Sequence, residues 1–184
     1  MVEIRPLTGI GLDALHQLNT GYTSTEFYRV QKNERPESIS ITLQLERVSA
    51  PFHKHWETTQ DDLERYRQVV KSGYSLAAFS GGQQVGIAIA EKRTWNRSLW
   101  IWEFYVAETH RRMGVGRMLM NSLAELARKA GLRIMTAETQ NTNVPAIAFY
   151  RALAFEIDAI DLSYYTNQDI NSGEVAIFMK RKLE

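Results

Sequence analysis

The sequence predicts an α/β fold, in which a mixed and largely antiparallel central sheet carries helices on both faces. Three observations favour this class. Residues 80–83 (SGGQ) separate two strand patterns and predict a hairpin. A strand, turn, helix, strand, helix succession follows over residues 99–151, and two further strand patterns end the chain. The 184 residues contain no linker, repeat or low-complexity segment, so we expect one domain over residues 1–184.

The first third of the chain predicts one strand, one helix and one ambiguous segment. Residues 2–5 have a strand pattern that ends at Pro6, and residues 11–19 place three leucines at helical spacing. Residues 21–33 are polar with embedded apolar side chains, and a surface helix or loop is one interpretation of them. Residues 39–48 alternate apolar and polar residues, which predicts a half-buried strand.

The middle of the chain predicts a helix followed by a meander. Thr59 and Asp62 have the spacing of a capping box, and the helix is expected to run to Lys71 and to be closed by Gly73. Residues 74–79, 84–91 and 99–106 then read as three antiparallel strands.

The last third predicts a βαβ unit and a closing hairpin. A helix with Leu119, Leu123 and Ala127 on one face follows the turn at residues 111–117. Residues 134–138 form the next strand, and a helix is expected after Asn143. Residues 155–165 and 174–182 are expected to be strands joined by a polar turn at residues 166–173.

Composition excludes several classes of partner. Lys and Arg total 22 and Asp and Glu total 21, so a net charge of +1 gives no reason to expect a nucleic-acid partner. The chain has no cysteine, and the pair His53 and His55 fits a solvated loop better than a zinc site, so no metal is predicted. The N-terminus lacks a signal-peptide pattern and no apolar run spans a membrane, so a cytoplasmic protein without a membrane partner is expected.

A basic glycine turn is the main candidate for binding chemistry. In residues 111–117 (RRMGVGR), Gly114 and Gly116 let the backbone approach a ligand, and the following helix start presents N–H groups. Neither the nucleoside-triphosphate loop nor the six-residue dinucleotide spacing fits, since no Lys-Ser/Thr pair follows and Leu119 stands at the last glycine. The turn alone is more often an ordinary strand-to-helix connection with surface arginines.

A second motif narrows the interpretation. Asn143, Ala146, Phe149 and Tyr150 form the pattern N-x-x-A-x-x-F-Y, downstream of the pattern R-x-x-G-x-G at residues 111–116. In this order and spacing the two patterns resemble those of the GNAT superfamily of acyl-CoA-dependent N-acyltransferases. The resemblance covers the chain from Tyr74 onward. It departs from the superfamily pattern at Ala154, where glycine is usual before phenylalanine, and at residues 104–105, where smaller residues are usual.

The resemblance implies acetyl-CoA as the acyl donor and a set of donor-binding residues. The implied set comprises Phe104, Tyr105, Val106, Arg111, Arg112, Met113, Gly114, Val115, Gly116, Arg117, Asn143, Ala146 and Tyr150. The family's strand bulges and splays at residues 104–106, where a backbone N–H would face the thioester oxygen.

Three residues are candidates for proton transfer. The resemblance implies that Tyr150 is the general acid for the leaving thiolate. Glu103, a carboxylate in an aromatic run, and Glu138 are candidates for the base, and proton loss through a water chain is an alternative. Burial is expected to raise the pKa of Glu103.

The acceptor is indicated by a closer resemblance within the superfamily. Residues 138–140, 143–146, 161 and 164–167 resemble the streptothricin acetyltransferase type, which implies antibiotic resistance through acetylation of a small cationic molecule, at the β-lysine amine of streptothricin. Candidate substrate contacts are Glu26, Tyr28, Glu138, Asp161 and Tyr164. Acetylation of a protein or peptide amine and a non-catalytic acyl-CoA-binding module remain alternatives. The sequence does not decide between a monomer and an oligomer such as a homodimer.

Overall fold

The computed structural model describes residues 1–183 and contains nine strands and five helices in that range. In chain order they are β1 (Val2–Pro6), α1 (Leu12–Leu18), β2 (Tyr22–Arg35), β3 (Ser38–Lys54), α2 (Gln60–Lys71), β4 (Leu76–Ser80), β5 (Gln83–Arg93), β6 (Ser98–Val106), α3 (Val115–Lys129), β7 (Ile134–Gln140), α4 (Val144–Arg151), β8 (Glu156–Asp161), α5 (Asp169–Ser172) and β9 (Ala176–Lys182). A short 3-10 turn, Glu108–His110, follows β6. The elements form the mixed, mostly antiparallel sheet with flanking helices that the sequence predicts.

The contact pattern divides the chain into two compact units. One unit comprises residues 1–21, 55–137 and 181–183, and the other comprises residues 22–54 and 138–180. In the first unit the strand order is β1-β4-β5-β6-β7, with antiparallel neighbours except for the parallel pair β6 and β7. In the second unit β2 pairs with β3 and β8 pairs with β9, both antiparallel.

Helices cover both faces of the sheet in the first unit. Ile87 of β5 lies in a buried cluster with side chains of α1 and α2, including Leu15 and Leu63. Its neighbour Gly86 faces the opposite way, since a Cβ placed there would meet Leu119 of α3 at 3.7 Å. The same Cβ would stand 3.2 Å from the Tyr105 carbonyl oxygen of the neighbouring strand β6, so glycine at position 86 permits the close approach of β6.

The local turn and capping predictions are confirmed. Thr59 accepts from the Asp62 N–H and the Asp62 carboxylate accepts from the Thr59 N–H, so the capping box starts α2. Gly81 (φ +57°) and Gly82 (φ +81°) both adopt the left-handed conformation that a tight hairpin between β4 and β5 requires.

The segment from residue 21 to residue 54 departs from the sequence interpretation. Residues 22–35 are a strand rather than a surface helix or loop. The strand at residues 39–48 exists, but it extends over Ser38–Lys54 and its half-burial is wrong: Ile39, Ile41 and Leu45 are 63%, 40% and 47% exposed. The physical reason is that β2 and β3 form a separate two-stranded sheet, and pairing alone buries little side-chain area.

Two further boundaries differ from the prediction. The strand expected at residues 155–165 ends at Asp161, and the polar turn expected at residues 166–173 contains the short helix α5. The bulge expected at residues 104–106 lies two residues earlier: Ile89 pairs with Glu103 and Ala90 pairs with Ile101, so Trp102 is the extra residue. The parallel ladder to β7 also ends at Ile101.

Candidate active site

The start of α3 has no side-chain cap. Gly114 occupies the N-cap in the left-handed conformation (φ +85°), and no side chain caps the helix. The first turn contains no acidic residue, and nothing lies within 4 Å of a Cβ placed on Gly114. The N–H groups of the first turn therefore have no side-chain cap, and the positive end of the helix dipole lies at this turn. Arg112 and Arg117, both exposed, add charge around this turn.

Arg111 is tied to the protein on both sides of its guanidinium. Its Nε donates to the Val106 carbonyl oxygen at 3.1 Å, and its Nη2 donates to Thr20 Oγ1 at 2.6 Å. The side chain thus joins the end of β6 to the segment after α1, which fixes the entry to the glycine turn. Arg112 takes a left-handed backbone (φ +60°), which helps reverse the chain before Gly114.

Glu103 accepts hydrogen bonds from two tyrosines of the same unit. The Tyr66 hydroxyl, on α2, donates to Oε1, and the Tyr105 hydroxyl, on β6, donates to Oε2. Burial raises the pKa of Glu103, as expected from the sequence, and the two phenols oppose that rise. Burial followed by the Glu103 charge raises the pKa of both phenols, so they remain protonated donors at neutral pH.

The Arg65 guanidinium, whose charge acts on Glu103, lies against two aromatic rings. The Arg65 guanidinium lies 5.1 Å from the Trp102 ring centroid and 5.3 Å from that of Tyr66, and it pairs with Asp62 at 2.7 Å. The Trp102 indole N–H is buried and makes no hydrogen bond within the described part of the chain. The bulge therefore carries a buried donor directly before Glu103.

The second motif builds the start and the end of α4. Asn143 is the N-cap, and its Oδ1 accepts from the Ala146 N–H at 3.2 Å. Tyr150 is buried in the last turn, with its ring centroid 5.5 Å from that of Phe149 and 5.3 Å from that of Phe155. The motif thus serves the local fold of α4, and the acid role of Tyr150 stays a prediction.

The glycine missing from the motif is replaced by a strained alanine. Ala154 has φ +63°, the conformation that glycine adopts at little cost. Its N–H donates to the Arg151 carbonyl at 3.1 Å and the Phe155 N–H donates to the Tyr150 carbonyl at 3.1 Å. This is a Schellman ending, so the substitution preserves the helix end and adds backbone strain.

Glu138 is the centre of a polar cluster in the other unit. The Tyr165 hydroxyl donates to Glu138 Oε1. The Glu138 charge acts to raise the pKa of both Lys54 and Tyr22. Lys54 pairs with Glu174, and burial lowers the Lys54 pKa while Glu138 opposes that effect. The cluster joins residues that lie up to 143 positions apart in sequence, so sequence periodicity does not reveal it.

The other candidate substrate residues lie in separate local settings. Tyr164 packs edge-on against Tyr165, at 5.3 Å between centroids, and so belongs to the Glu138 cluster. Tyr28 accepts from Arg151 at 2.8 Å, Glu26 pairs with Arg47 at 3.6 Å, and Asp161 accepts from the Ser163 N–H at 3.0 Å.

Two buried polar residues that sequence reasoning missed support the Glu138 cluster. Asn141 donates from Nδ2 to the carbonyls of Tyr28 (2.8 Å) and Gly173 (3.2 Å) and accepts from the Val175 N–H at 2.8 Å. Asp169 accepts from the backbone N–H groups of Tyr165 and Thr166 and thereby fixes the loop that carries Tyr165. The polar composition of the loop at residues 166–173 was the sole sequence signal for the role of Asp169, and no sequence pattern indicated the role of Asn141.

Two kinds of feature are not found among residues 1–183. No helix there is long and apolar enough to cross a membrane. No group of three metal-ligating side chains occurs there either, and His53 Nδ1 is hydrogen-bonded to Thr23 Oγ1 at 2.7 Å.

Comparison with known proteins gives consistent similarities. A model of the acetyltransferase (GNAT) family matches residues 41–155. The chain is 35% identical over 104 residues to the streptothricin acetyltransferase of Streptomyces lavendulae, covering 56% of this chain and 54%, about half, of that relative. It is 29% identical over 133 residues to streptothricin acetyltransferase A of Bacillus subtilis, covering 72% and 75%. The solved structure of a nourseothricin acetyltransferase superposes with a TM-score of 0.76 at 27% identity, covering 100% and 99%.

Proposed function

Because the chain belongs to the acetyltransferase (GNAT) family, we propose that it transfers an acetyl group from acetyl-CoA to a primary amine of a small cationic molecule. The acceptor is streptothricin, modified on the amine of its β-lysine moiety. Two of the similar relatives bear the name streptothricin acetyltransferase, which supports this choice of acceptor.

The observation that carries the proposal is the uncapped start of α3. A helix start without a side-chain cap or an acidic first turn leaves backbone donors for an outside anion. The diphosphate of acetyl-CoA has the required charge, and the open space at Gly114 fits its approach. Arg112 and Arg117 supply further positive charge, while Arg111 fixes the loop through Val106 and Thr20.

The reaction itself needs proton transfer at both ends. The acceptor ammonium loses one proton, and its nitrogen attacks the thioester carbon. As the N–C bond forms and the C–S bond breaks, the nitrogen loses a second proton and the sulfur gains one. The net products are the acetylated amine, coenzyme A with a free thiol, and one proton released to solvent. Tyr150 is the proposed donor to sulfur, and Glu103 or Glu138 is the proposed acceptor from nitrogen.

Each of the two candidate base carboxylates, taken by itself, offers a binding partner for an ammonium group. Glu103 accepts from two tyrosine hydroxyls and Glu138 accepts from one, and both side chains are partly withdrawn from water. A carboxylate withdrawn from water binds an ammonium more strongly than an exposed one, because the charge-assisted hydrogen bond is less screened. This supports a cationic acceptor over a neutral one.

Release of the coenzyme A thiol tests the proposal directly. The purified chain is incubated with acetyl-CoA in three separate reactions. The first contains streptothricin, the second contains a ribosomal or histone-like peptide, and the third contains no acceptor. Thiol release that depends on streptothricin and disappears in Gly114→Glu supports the proposal. Release only with the peptide would replace the acceptor, and no release with any amine would indicate a binding module.

A further inference from the structure

Two phenols from different elements converge on one carboxylate. Tyr66 comes from α2, 37 residues before Glu103, and Tyr105 comes from β6, two residues after it. Each phenol donates to a different carboxylate oxygen. The pair therefore fixes both the position of the carboxylate and its rotation about the last side-chain bond.

We propose that Tyr66 and Tyr105 are positioning residues for acetyl transfer: they hold Glu103 ionised and oriented, so that Glu103, rather than Glu138, takes the proton from the acceptor ammonium. This inference rests on the proposed function and adds to it the choice of base and the residues that prepare that base.

The position of Glu103 in β6 favours this role. Glu103 directly follows Trp102, the residue that forms the bulge, and a bulge re-aims the side chains next to it. Beyond Ile101 the ladder to β7 ends, so the backbone here is less constrained by sheet pairing. Anchoring from α2 replaces that constraint, because α2 is fixed by its capping box and by its buried face.

Electrostatics explain why a buried base needs two donors. Burial favours the neutral carboxyl, and a protonated Glu103 cannot accept a proton. Asp62, also on α2, acts in the same direction as burial, whereas Arg65 opposes it. The two phenols add the largest opposing effects, and Trp56 in turn hydrogen-bonds to Tyr105. Removing either phenol should therefore shift Glu103 toward its protonated form.

The chain offers a matched control in the other unit. Tyr165 donates to Glu138 in the same manner, and burial followed by the carboxylate charge likewise raises the Tyr165 pKa. Tyr165→Phe thus removes one phenol from one carboxylate, as Tyr66→Phe does, but at the other candidate base.

The first test is the pH profile of kcat/KM for streptothricin. We expect Tyr66→Phe and Tyr105→Phe each to move the acid limb upward by about one pH unit, the effect of one lost charge-assisted hydrogen bond, with activity recovering at high pH. Tyr165→Phe should leave the limb in place. The proposal is overturned if the acid limb stays in place in both Tyr66→Phe and Tyr105→Phe. It is also overturned if the acid limb moves in Tyr165→Phe instead.

The second test does not require turnover. In protein carrying glutamate labelled with ¹³C at the carboxyl carbon, the Glu103 resonance is identified by its loss in Glu103→Gln. Its titration midpoint should rise by about one pH unit in Tyr66→Phe and in Tyr105→Phe and stay unchanged in Tyr165→Phe. An unchanged midpoint overturns the positioning role even if the enzyme is active. Absence of turnover with any amine would instead overturn the proposed function and, with it, the role of Glu103 as base.

Discussion

The hydroxyl of Tyr66 on α2 donates a hydrogen bond to the carboxylate of Glu103 on β6. The contact joins a helix to the strand that the motif resemblance associates with the acyl donor. It also places a charge where burial opposes ionisation, and such a charge has a measurable effect on stability.

The raised pKa of Glu103 predicts a loss of stability with rising pH. Between the ordinary glutamate value of 4.5 and the raised value, the folded state binds more protons than the unfolded state. The free energy of unfolding contributed by this group therefore falls as pH rises through that window. Urea unfolding of wild type and Glu103→Gln across about pH 4 to 8 should show a shrinking wild-type advantage. A pH-independent difference would contradict this prediction.

Gly114→Glu should abolish acetyl-CoA binding. The substitution adds a negative side chain at the helix start where the diphosphate is proposed to lie, and it strains a residue with φ +85°. Gly131→Glu is a matched control, because Gly131 also has positive φ (+69°), open space around it, and a place at the other end of α3. Calorimetry should show binding for the control only. Equal affinities in both folded variants would disprove the anion site.

Tyr150→Phe should lower kcat by roughly ten- to ten-thousand-fold with little change in acetyl-CoA affinity, the range for loss of a general acid. The ring is retained, so the packing against Phe149 and Phe155 should survive. Single-turnover kinetics isolates the chemical step, and Tyr74→Phe controls for loss of an unrelated hydroxyl. Wild-type rates in a single turnover would leave Tyr150 with a packing role alone.

Ala154→Gly should stabilise the protein by about 1 kcal/mol, because glycine relieves the left-handed strain at φ +63°. Ala152→Gly gives the opposite sign: Ala152 has ordinary helical angles (φ −64°), so glycine there should destabilise by about 0.5–1 kcal/mol. Thermal unfolding of both variants checks the pair. A loss of stability in Ala154→Gly would show that the strain is compensated elsewhere.

Local signals account for what the sequence predicted well. The capping box at Thr59 and Asp62, the hairpin at residues 80–83 and the start of α3 each depend on residues within one turn of chain. Such features depend on residues that are neighbours in sequence, so residue propensity and spacing identify them.

Long-range features were not predictable in the same way. The Tyr66 contact spans 37 residues, and the buried position of Tyr66 on α2 reveals nothing about its partner. Asn141 joins Tyr28 and Val175, which lie 113 and 34 residues away. The alternation of β3 predicted a buried face, yet pairing with β2 alone leaves Ile39 exposed. Periodicity predicts an apolar face, but it does not predict whether another element packs against that face.

We propose that the chain acetylates the β-lysine amine of streptothricin. Mass spectrometry of the drug, recovered from a sensitive bacterium that expresses this chain and grows in its presence, tests that claim most directly. We expect growth together with one added acetyl group on the β-lysine amine, and neither in cells that express Gly114→Glu. Unmodified drug without protection, from cells that contain the folded protein, would contradict it.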